Sequence, residues 1–471
     1  MKNLPEFFRR KVLRIQSSEV GSRLARGTLW SLGGAVISRG LQLASSILVA
    51  RMLGKENFGV LGMVQSTIGM LGIFAGFGLG TTATKYIAEY RDKDPERAGR
   101  ILGLSAVTAL ISGLVLACVL FALAPYLART ALNAPHLSGY LRIGCLVLLL
   151  SATTGAQNGA LAGFEAFRAI ACRSAIAGAI TLPLMILGAY FAGVRGAIWA
   201  LVGSLLANAV LNHLALRKER ARYRIPGINR TCRRECGVLL SFSLPALLAG
   251  ALVGPVNWAC AALLVNQPDG YGEMGVFNAA NQWFTALMFL PSIIGHVALP
   301  ILAERLASDQ VGHSARILKV SMLSNLAIML PLLIVGSLAS RLIMGSYGPG
   351  FADSWPTLLV VLWTAALLSV QTPVGQIIAA SGKMWLGAAM NLGWGLVFFC
   401  ATYYLIDLGA LGLALGRAIA YAVHTCWVIA FAHYWLSRRS VRPKEREIGE
   451  AGSMQESDLE YVRPEVMNGT R

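Results

Sequence analysis

The sequence predicts an all-α polytopic membrane protein with about 12 transmembrane helices, arranged as two six-helix bundles. Hydrophobic residues make up 55% of the chain and charged residues only 14%, whereas a soluble domain carries about 25% charged residues. The apolar residues are collected in runs long enough for a spanning helix, which needs about 20 residues. Basic residues lie mainly between these runs, so the net charge of +18 indicates membrane topology rather than nucleic-acid binding.

The predicted spans follow one another through short polar connections. In chain order they lie near 28–52, 58–80, 101–126, 140–163, 171–192, 195–216, 238–265, 274–300, 317–340, 356–380, 384–405 and 409–436. A basic arm, 1–27, precedes the first bundle, 28–216. A basic connection, 217–236, leads to the second bundle, 237–436, and a polar tail of mixed charge, 437–471, is expected to be disordered.

The distribution of Lys and Arg predicts the orientation. With the N-terminus placed in the cytoplasm, the inside connections hold 33 basic residues and the outside connections five, as the positive-inside rule requires. An even number of spans then returns the C-terminus to the cytoplasm. We therefore expect a multi-pass protein of the bacterial inner membrane with both termini cytoplasmic. The basic arm either rests on the anionic inner leaflet, with membrane lipids as partners, or is simply solvated.

Weak internal similarity supports the division into two bundles. Residues 58–63 resemble residues 271–276 at an offset of 213, and residues 151–164 resemble 369–382 at an offset of 218. Six spans in each half means that both halves enter the membrane in the same direction. This predicts a parallel repeat about an axis along the membrane normal, a plan common in alternating-access transporters.

Three arginines, Arg39, Arg51 and Arg417, fall within predicted spans. Arg51 lies at the end of the first span, where an interfacial anchor is the favoured explanation. Ionisable residues in a bilayer are costly and usually face the bundle interior or a water-filled cavity. Arg39 lies in the middle of the first span, too deep to snorkel easily and without an evident partner in the sequence. Arg417 lies nearer the outer end of the last span, so snorkelling stays open for it. The spans carry no carboxylate apart from edge cases such as Glu273, and a cavity with arginine alone favours an anionic ligand such as a phosphate ester.

Amide side chains also fall in the spans. For any one of them, hydrogen bonding between helices is the simpler explanation; together they suit a hydrophilic lumen that binds sugar hydroxyls. The candidate sugar contacts are Gln42, Gln65, Gln157, Asn158, Asn257, Asn278, Asn281, Gln282 and Gln376. His296 and His424 are candidates for coupling through titration, although a neutral, hydrogen-bonded histidine is the commoner case.

Other classes of site have little support. There is no nucleotide-binding loop of the G-x-x-x-x-G-K-[ST] type, so ATP-driven transport by this chain alone is not expected. Most of the eight cysteines lie in apolar runs, and the pair Cys232 and Cys236 has no second pair to complete a zinc site. We expect no metal, no cofactor, no catalytic residue and no nucleic-acid partner.

Three motifs resemble Wzx-type polysaccharide flippases of the multidrug/oligosaccharidyl-lipid/polysaccharide exporter superfamily. The first is RGTLW at 26–30 with LVARMLGKENFG at 48–59, the second is TKYIAEY at 84–90 with DPER at 94–97, and the third is YGPGFADSW at 347–355. The resemblance implies a V-shaped pair of six-helix bundles around a central cavity. It implies an undecaprenyl-diphosphate-linked sugar repeat unit as cargo, moved to the outer leaflet, with Arg39 as the best match to a diphosphate contact and Arg417 as a second. A polysaccharide polymerase and export machinery are possible partners.

Two other functions remain as alternatives. A multidrug cation exporter of the same fold would need an intramembrane carboxylate, which the spans lack. A membrane-embedded glycan polymerase or ligase would usually need large outer loops or an acidic motif. The longest predicted outer loops, near 127–139 and 341–355, are short and carry neither.

Overall fold

A computed structural model describes residues 19–76, 78–226, 251–307, 311–380 and 384–432, together with 232, 235–238, 243, 247 and 434. Nearly all of the predicted tail, most of the predicted arm and the beginning of the seventh predicted span lie outside these residues. The described chain is helical throughout. We number its helices α1 (Glu19–Gly76), α2 (Leu79–Tyr90), α3 (Pro95–Tyr126), α4 (Leu137–Gly163), α5 (Phe167–Arg222), α6 (Val253–Val265), α7 (Gly270–Ala307), α8 (Val311–Leu338), α9 (Ser340–Ser346), α10 (Trp355–Ala380), α11 (Met384–Leu405) and α12 (409–432).

The long helices have the length and composition of membrane spans. Seven stretches of the described chain meet this description: Val36–Tyr90, Pro95–Ala131, Leu137–Gly163, Phe167–Arg222, Leu318–Leu338, Ala352–Gly375 and Trp385–Ala432. Many of their large apolar side chains are exposed on the protein surface, Leu338 by 84% and Val335 by 65% for example. A surface of this kind is stable only against lipid, and the protein is therefore a helical polytopic membrane protein.

Backbone breaks divide three of these stretches. α1 is interrupted at Gly54 (φ 75°), α5 at Ala192 and Gly193, and a short 3₁₀ turn with Gly409 separates α11 from α12. Gly193 has φ 54° and ψ −135°, and Gly409 has φ 60° and ψ −133°, so the same reversal of the chain is built twice, 216 residues apart. These three stretches are 55, 56 and 48 residues long, more than twice the roughly 20 residues that one span needs.

Aromatic side chains mark the level of two of these reversals. Tyr190 and Phe191, just before Gly193, are 73% and 78% exposed, and Tyr403 and Tyr404, just before Gly409, are 61% and 81% exposed. Tyr and Trp are enriched where the hydrocarbon meets water, because one end of the side chain is apolar and the other is polar. The exposed aromatic side chains beside the two reversals are thus of the kind that is typical of a membrane interface.

Replacing Gly193 by Ala is expected to lower stability, because a Cβ is strained at this combination of φ and ψ. Such strain costs about 1–3 kcal/mol, and the midpoint of thermal unfolding in detergent should fall. Gly139→Ala is the matched control, since a Cβ there would have no neighbour within 4 Å and its backbone is helical. An unchanged midpoint for Gly193→Ala would contradict the assigned backbone conformation.

The second resembling motif begins α3 and fixes the connection before it. The Asp94 carboxylate accepts a hydrogen bond of 2.9 Å from the backbone N–H of Arg97, and Pro95 occupies the first turn of α3, which is a favourable helix start. Arg91, in the preceding turn, donates to the Gly163 carbonyl (2.9 Å) and to the Glu165 carboxylate (2.7 Å). These contacts join α2, α3 and the end of α4 at one end of the bundle.

Candidate functional site

A polar cavity of about 250 Å³ lies between α1, α6, α7, α11 and α12. We call it the central cavity, because α1 comes from the first half of the sequence and the other helices from the second. Its polar lining consists of Gln65, Ser66, Asn257, Asn278, Asn281, Gln282, Thr285 and Arg417. The residues from α7 are spaced three and four positions apart, which places them on one helix face. Six of the predicted ligand-binding residues thus meet in one place.

A second cavity, of about 300 Å³, adjoins the central cavity on the side of α5. It shares the lining residues Gln65 and Gln282 with the central cavity and adds Gln42, Ser45, Ser46 and Thr181. We call it the adjoining cavity. Amide and hydroxyl groups therefore extend across both cavities, and the residues that line them include no Asp or Glu.

Arg417 supplies the positive charge of the central cavity. The residue is only 4% exposed, and its Nη1 donates a 2.7 Å hydrogen bond to Oδ1 of Asn281. Its guanidinium carbon lies 4.4 Å from the ring centroid of Phe284 and 5.0 Å from that of Phe277. Both rings face the cation favourably. The snorkelling considered for Arg417 from its position in the span is wrong, because the side chain is enclosed within the protein.

The guanidinium of Arg417 is incompletely satisfied. Nε and Nη2 are buried and have no hydrogen-bond partner among the described residues. Burying a cation that has unpaired donors and no nearby carboxylate costs roughly several kcal/mol of free energy, unless an anion binds beside it. Donors of this kind would suit an anionic group, because planar guanidinium donors match phosphate oxygens well.

Arg39 lies in a different setting from the one expected. It is half-buried, its Nη1 donates to Oε1 of Gln42 at 3.0 Å, and its guanidinium carbon lies 5.9 Å from the ring centroid of Phe289 on α7. The expectation that Arg39 lacks a partner is therefore wrong. It lines neither the central nor the adjoining cavity, but it lies three positions before Gln42, which lines the adjoining one.

Gln157 and Asn158 lie away from both cavities, inside the bundle of the first half. Asn158 accepts hydrogen bonds from Arg173 Nη1 (2.7 Å) and Asn212 Nδ2 (3.3 Å), and Gln157 is adjacent in α4 with its Oε1 buried and unpaired. Arg173 is only 7% exposed, so its guanidinium is enclosed within this bundle. Together these residues bind helices α4 and α5 to each other, a role that spacing alone could not distinguish from sugar contact.

His424 is not among the residues that line the central cavity. His424 Nδ1 lies 3.0 Å from Oε1 of Gln371, and both residues line a separate, mostly apolar cavity of about 320 Å³ within the second half. The side chains of His296 and Gln376 lie outside the described residues. In the described part of the chain, no group of three or more His, Cys, Asp or Glu side chains has the arrangement of a metal site.

A long-helix membrane fold with an internal polar cavity between its two halves defines the class, that of a membrane transporter. The chain belongs to the polysaccharide biosynthesis protein family, whose sequence model matches residues 24–305. This confirms the family that the three motifs resemble.

Relatives with similar sequences cover most of the chain. It is 29% identical over 406 residues to the EPS I polysaccharide export inner membrane protein EpsE of Ralstonia solanacearum, covering 84% of this chain and 90% of the relative. It is 23% identical to a putative O-antigen transporter of Shigella flexneri, covering 84% and 94%. A 24% identical lipid III flippase of Escherichia coli K12 matches 60% of this chain and 67% of the relative.

Solved structures show the same fold. An inward-facing multidrug resistance MATE family transporter of the MOP superfamily superposes with a TM-score of 0.73 at 16% identity, covering 88% of this chain and 99% of the other. An outward-facing transporter of that family superposes with a TM-score of 0.67 at 17% identity, covering 91% and 98%.

Proposed function

We propose that this protein is a flippase that moves an undecaprenyl-diphosphate-linked oligosaccharide repeat unit from the cytoplasmic to the outer leaflet of the inner membrane by alternating access. The observation that carries the proposal is Arg417, a buried guanidinium at the wall of the central cavity. Among the described residues, two of its nitrogens have no hydrogen-bond partner and no Asp or Glu lines the cavity. The family and the names of the relatives, which concern polysaccharide export, lipid III and O-antigen, support the class of cargo.

The division of labour in the cavity follows from its chemistry. The diphosphate of the cargo would accept hydrogen bonds from Nε and Nη2 of Arg417. Such bonds are charge-assisted and therefore stronger than bonds to a neutral acceptor. The amides of the central and adjoining cavities would replace the water that hydrates the sugar hydroxyls, whose transfer into hydrocarbon is otherwise costly. We assign the sugar contacts to Gln42, Gln65, Asn257, Asn278, Asn281 and Gln282.

The size of the cavity limits what it holds in this conformation. Its volume of about 250 Å³ is below the range of about 300–1,000 Å³ that is usual for small-molecule sites. It would hold the diphosphate and the first part of the sugar, and the remaining sugars would enter when the helices move apart. The lipid tail would stay in the bilayer.

We propose two lobes of six spans related by a parallel repeat, divided at residues 217–236. Support comes from the matching reversals at Gly193 and Gly409, 216 residues apart. Contacts between α1 and α7 fit the same offset. With an offset of 216, Gly59 is equivalent to Gly275 and Lys55 to Tyr271, so the contact of Gly59 with Tyr271 is equivalent to that of Gly275 with Lys55. For residues 58–63 and 271–276, the sequence comparison gave an offset of 213, which is three residues less than the offset that these contacts favour. By the positive-inside rule we place both termini in the cytoplasm and Lys55 at the outer face.

The alternative of a multidrug cation exporter has the fold in its favour but not the charge. The two MATE structures described above are 16% and 17% identical to this chain, so they support the fold alone. A cation would meet the charge of Arg417 without a carboxylate in the lining to offset it. We therefore favour the flippase over a cation exporter and over a glycan polymerase or ligase.

Deleting the gene tests the proposed function. The deletion strain should lose surface polysaccharide and accumulate an undecaprenyl-diphosphate-linked oligosaccharide, identifiable by mass spectrometry of the lipid extract, and the intact gene should reverse both changes. Accumulation is expected because synthesis on the cytoplasmic leaflet continues when translocation stops. Unchanged surface polysaccharide, or increased sensitivity to lipophilic cations with no accumulated lipid, would contradict the proposal.

Arg39→Ala should reduce export less than loss of Arg417 does. Arg39 lies close to Gln42 but is itself outside both cavities. We therefore propose that the diphosphate contacts Arg39 before it enters, or after it leaves, the central cavity. We expect a partial loss of surface polysaccharide, about threefold to tenfold, since one charge-assisted contact in a partly exposed setting contributes about 1 kcal/mol. Arg39→Lys should recover most of it. A complete loss with Arg39→Ala would instead make Arg39 the main anion site.

A further inference from the structure

Two of the sequence motifs that the proposed function does not use meet at one end of the central cavity. Phe58 belongs to the first motif, and Tyr347 and Phe351 to the third. The ring centroid of Phe58 lies 6.3 Å from the centroid of each of the other two rings, and all three side chains are at most 2% exposed. Burial raises the pKa of the Tyr347 phenol to about 12, so this cluster stays uncharged at neutral pH.

An ionic contact lies beside the aromatic cluster. Lys55 Nζ lies 2.8 Å from Oε1 of Glu273 and 3.0 Å from Oδ2 of Asp269. The other carboxylate oxygen of Glu273, Oε2, accepts a 2.8 Å hydrogen bond from the backbone N–H of Ala410, the second residue of α12. Glu273 therefore joins the two halves and caps the first turn of α12, where a negative charge is favoured by the helix dipole.

The backbones at this end are also in direct contact. A Cβ on Gly59 would overlap the carbonyl oxygen of Tyr271, and a Cβ on Gly275 would overlap that of Lys55. Small residues allow helices in a membrane to approach this closely. Nearby, the Tyr271 hydroxyl donates to the Leu132 carbonyl at 2.8 Å. Helices α1 and α7 are thus in close contact at this level.

These contacts lie immediately beyond the cavity wall. Gly62, Met274 and Leu413 line the central cavity, and each lies three residues from Gly59, Tyr271 or Ala410 respectively, about one helical turn. We infer that Lys55, Asp269 and Glu273, with the Phe58–Tyr347–Phe351 cluster, form a latch that closes the central cavity on this face and must release for the cavity to open there.

The latch is connected to the cavity through one rigid element. Ala410, whose N–H binds Glu273, and Arg417 lie seven residues apart on α12, a distance of about 10 Å along the helix. Movement of α12 that accompanies occupation of Arg417 would therefore shift the N–H that holds Glu273. The latch controls access whatever the cargo is, so the inference goes beyond the proposed function and is tested without transport.

The test measures how readily a thiol in the cavity is reached from each face. Ser66→Cys places a thiol in the central cavity lining, and its modification by a membrane-impermeant maleimide is followed by peptide mass spectrometry, which separates the introduced thiol from the native cysteines. The reagent is added to intact cells, which expose the outer face, and to inverted vesicles. The variants are Lys55→Glu, which turns attraction into repulsion, and the milder Lys55→Gln. Lys55→Arg keeps the pairing, and Arg51→Glu makes the same charge change at an exposed position four residues earlier in the sequence.

We expect the labelling rate of the introduced thiol in intact cells to rise at least about fivefold in Lys55→Glu, with a smaller rise in Lys55→Gln, because loss of the ion pairs shifts the closed population toward the open one. Lys55→Arg and Arg51→Glu should label at the native rate. Equal labelling in Lys55→Gln and the chain with native Lys55 would overturn the latch even if Lys55→Glu fails to fold. So would a rise seen only in inverted vesicles.

Discussion

Replacing Arg417 by Ala is expected to reduce surface polysaccharide at least tenfold while leaving the protein folded in the membrane. The substitution removes the one positive charge in the lining of the central cavity and the donors that would meet the diphosphate. Two charge-assisted hydrogen bonds contribute about 1.5–3 kcal/mol each, and each 1.4 kcal/mol is about tenfold in affinity. The measurements are surface polysaccharide per cell and the accumulated lipid-linked oligosaccharide.

Matched substitutions separate the role of Arg417 from packing. Arg417→Lys keeps the charge but not the planar donors, so it should restore part of the export. Arg51→Ala removes an arginine that is exposed and outside the cavity lining, and export should stay close to the native level. Normal export by an Arg417→Ala protein present at native amounts would remove the central support for the proposed function.

Asn281→Asp is expected to lower export as strongly as Arg417→Ala, although it changes only one functional group. Asn281 Oδ1 already accepts from Arg417 Nη1 at 2.7 Å, so a carboxylate in its place would form an internal ion pair with the guanidinium. The pair would neutralise the positive charge that attracts the diphosphate and would repel the phosphate oxygens. Surface polysaccharide and the accumulated lipid-linked oligosaccharide are again the measurements.

Asn281→Ser is the neutral control for this substitution, because it keeps an oxygen acceptor and adds no charge. It should retain most of the export. The double variant Arg417→Ala/Asn281→Asp should export no better than either single variant, because its carboxylate then has no guanidinium to pair with and repels the phosphate oxygens. If Asn281→Asp and Asn281→Ser export equally well, the charge of the cavity does not matter for the cargo.

The sequence predicted the composition of the central cavity better than its geometry. Asn278, Asn281, Gln282 and Thr285 recur at helical spacing in one apolar run, and this periodicity already places them on one face. The fold class follows in the same way from the apolar runs. Three backbone breaks at glycines or turns lie inside continuous apolar stretches, so the described residues contain seven such stretches where the sequence predicts twelve runs.

The helix face on which a side chain lies, and its depth within the protein, were harder to predict. Arg39 and Arg417 both lie in apolar runs, and distance from the end of a run gives depth but not the face that packs against other helices. Arg417 is enclosed because Phe277 and Phe284 on α7 cover it. Asn158 faces Arg173 instead of a cavity. The contact of Lys55 with Glu273 joins residues 218 positions apart, which local patterns in one sequence do not reveal.

The proposed translocation is tested most directly by reconstituting the purified protein into sealed vesicles that carry an undecaprenyl-diphosphate-linked oligosaccharide in the outer leaflet. Movement across the bilayer is measured as protection of the sugar from an added, impermeant glycosidase. We predict that protected cargo builds up rapidly with the native protein and at the rate of protein-free vesicles with Arg417→Ala. Equal rates for the native protein and protein-free vesicles, or for the native protein and Arg417→Ala, would contradict the proposal.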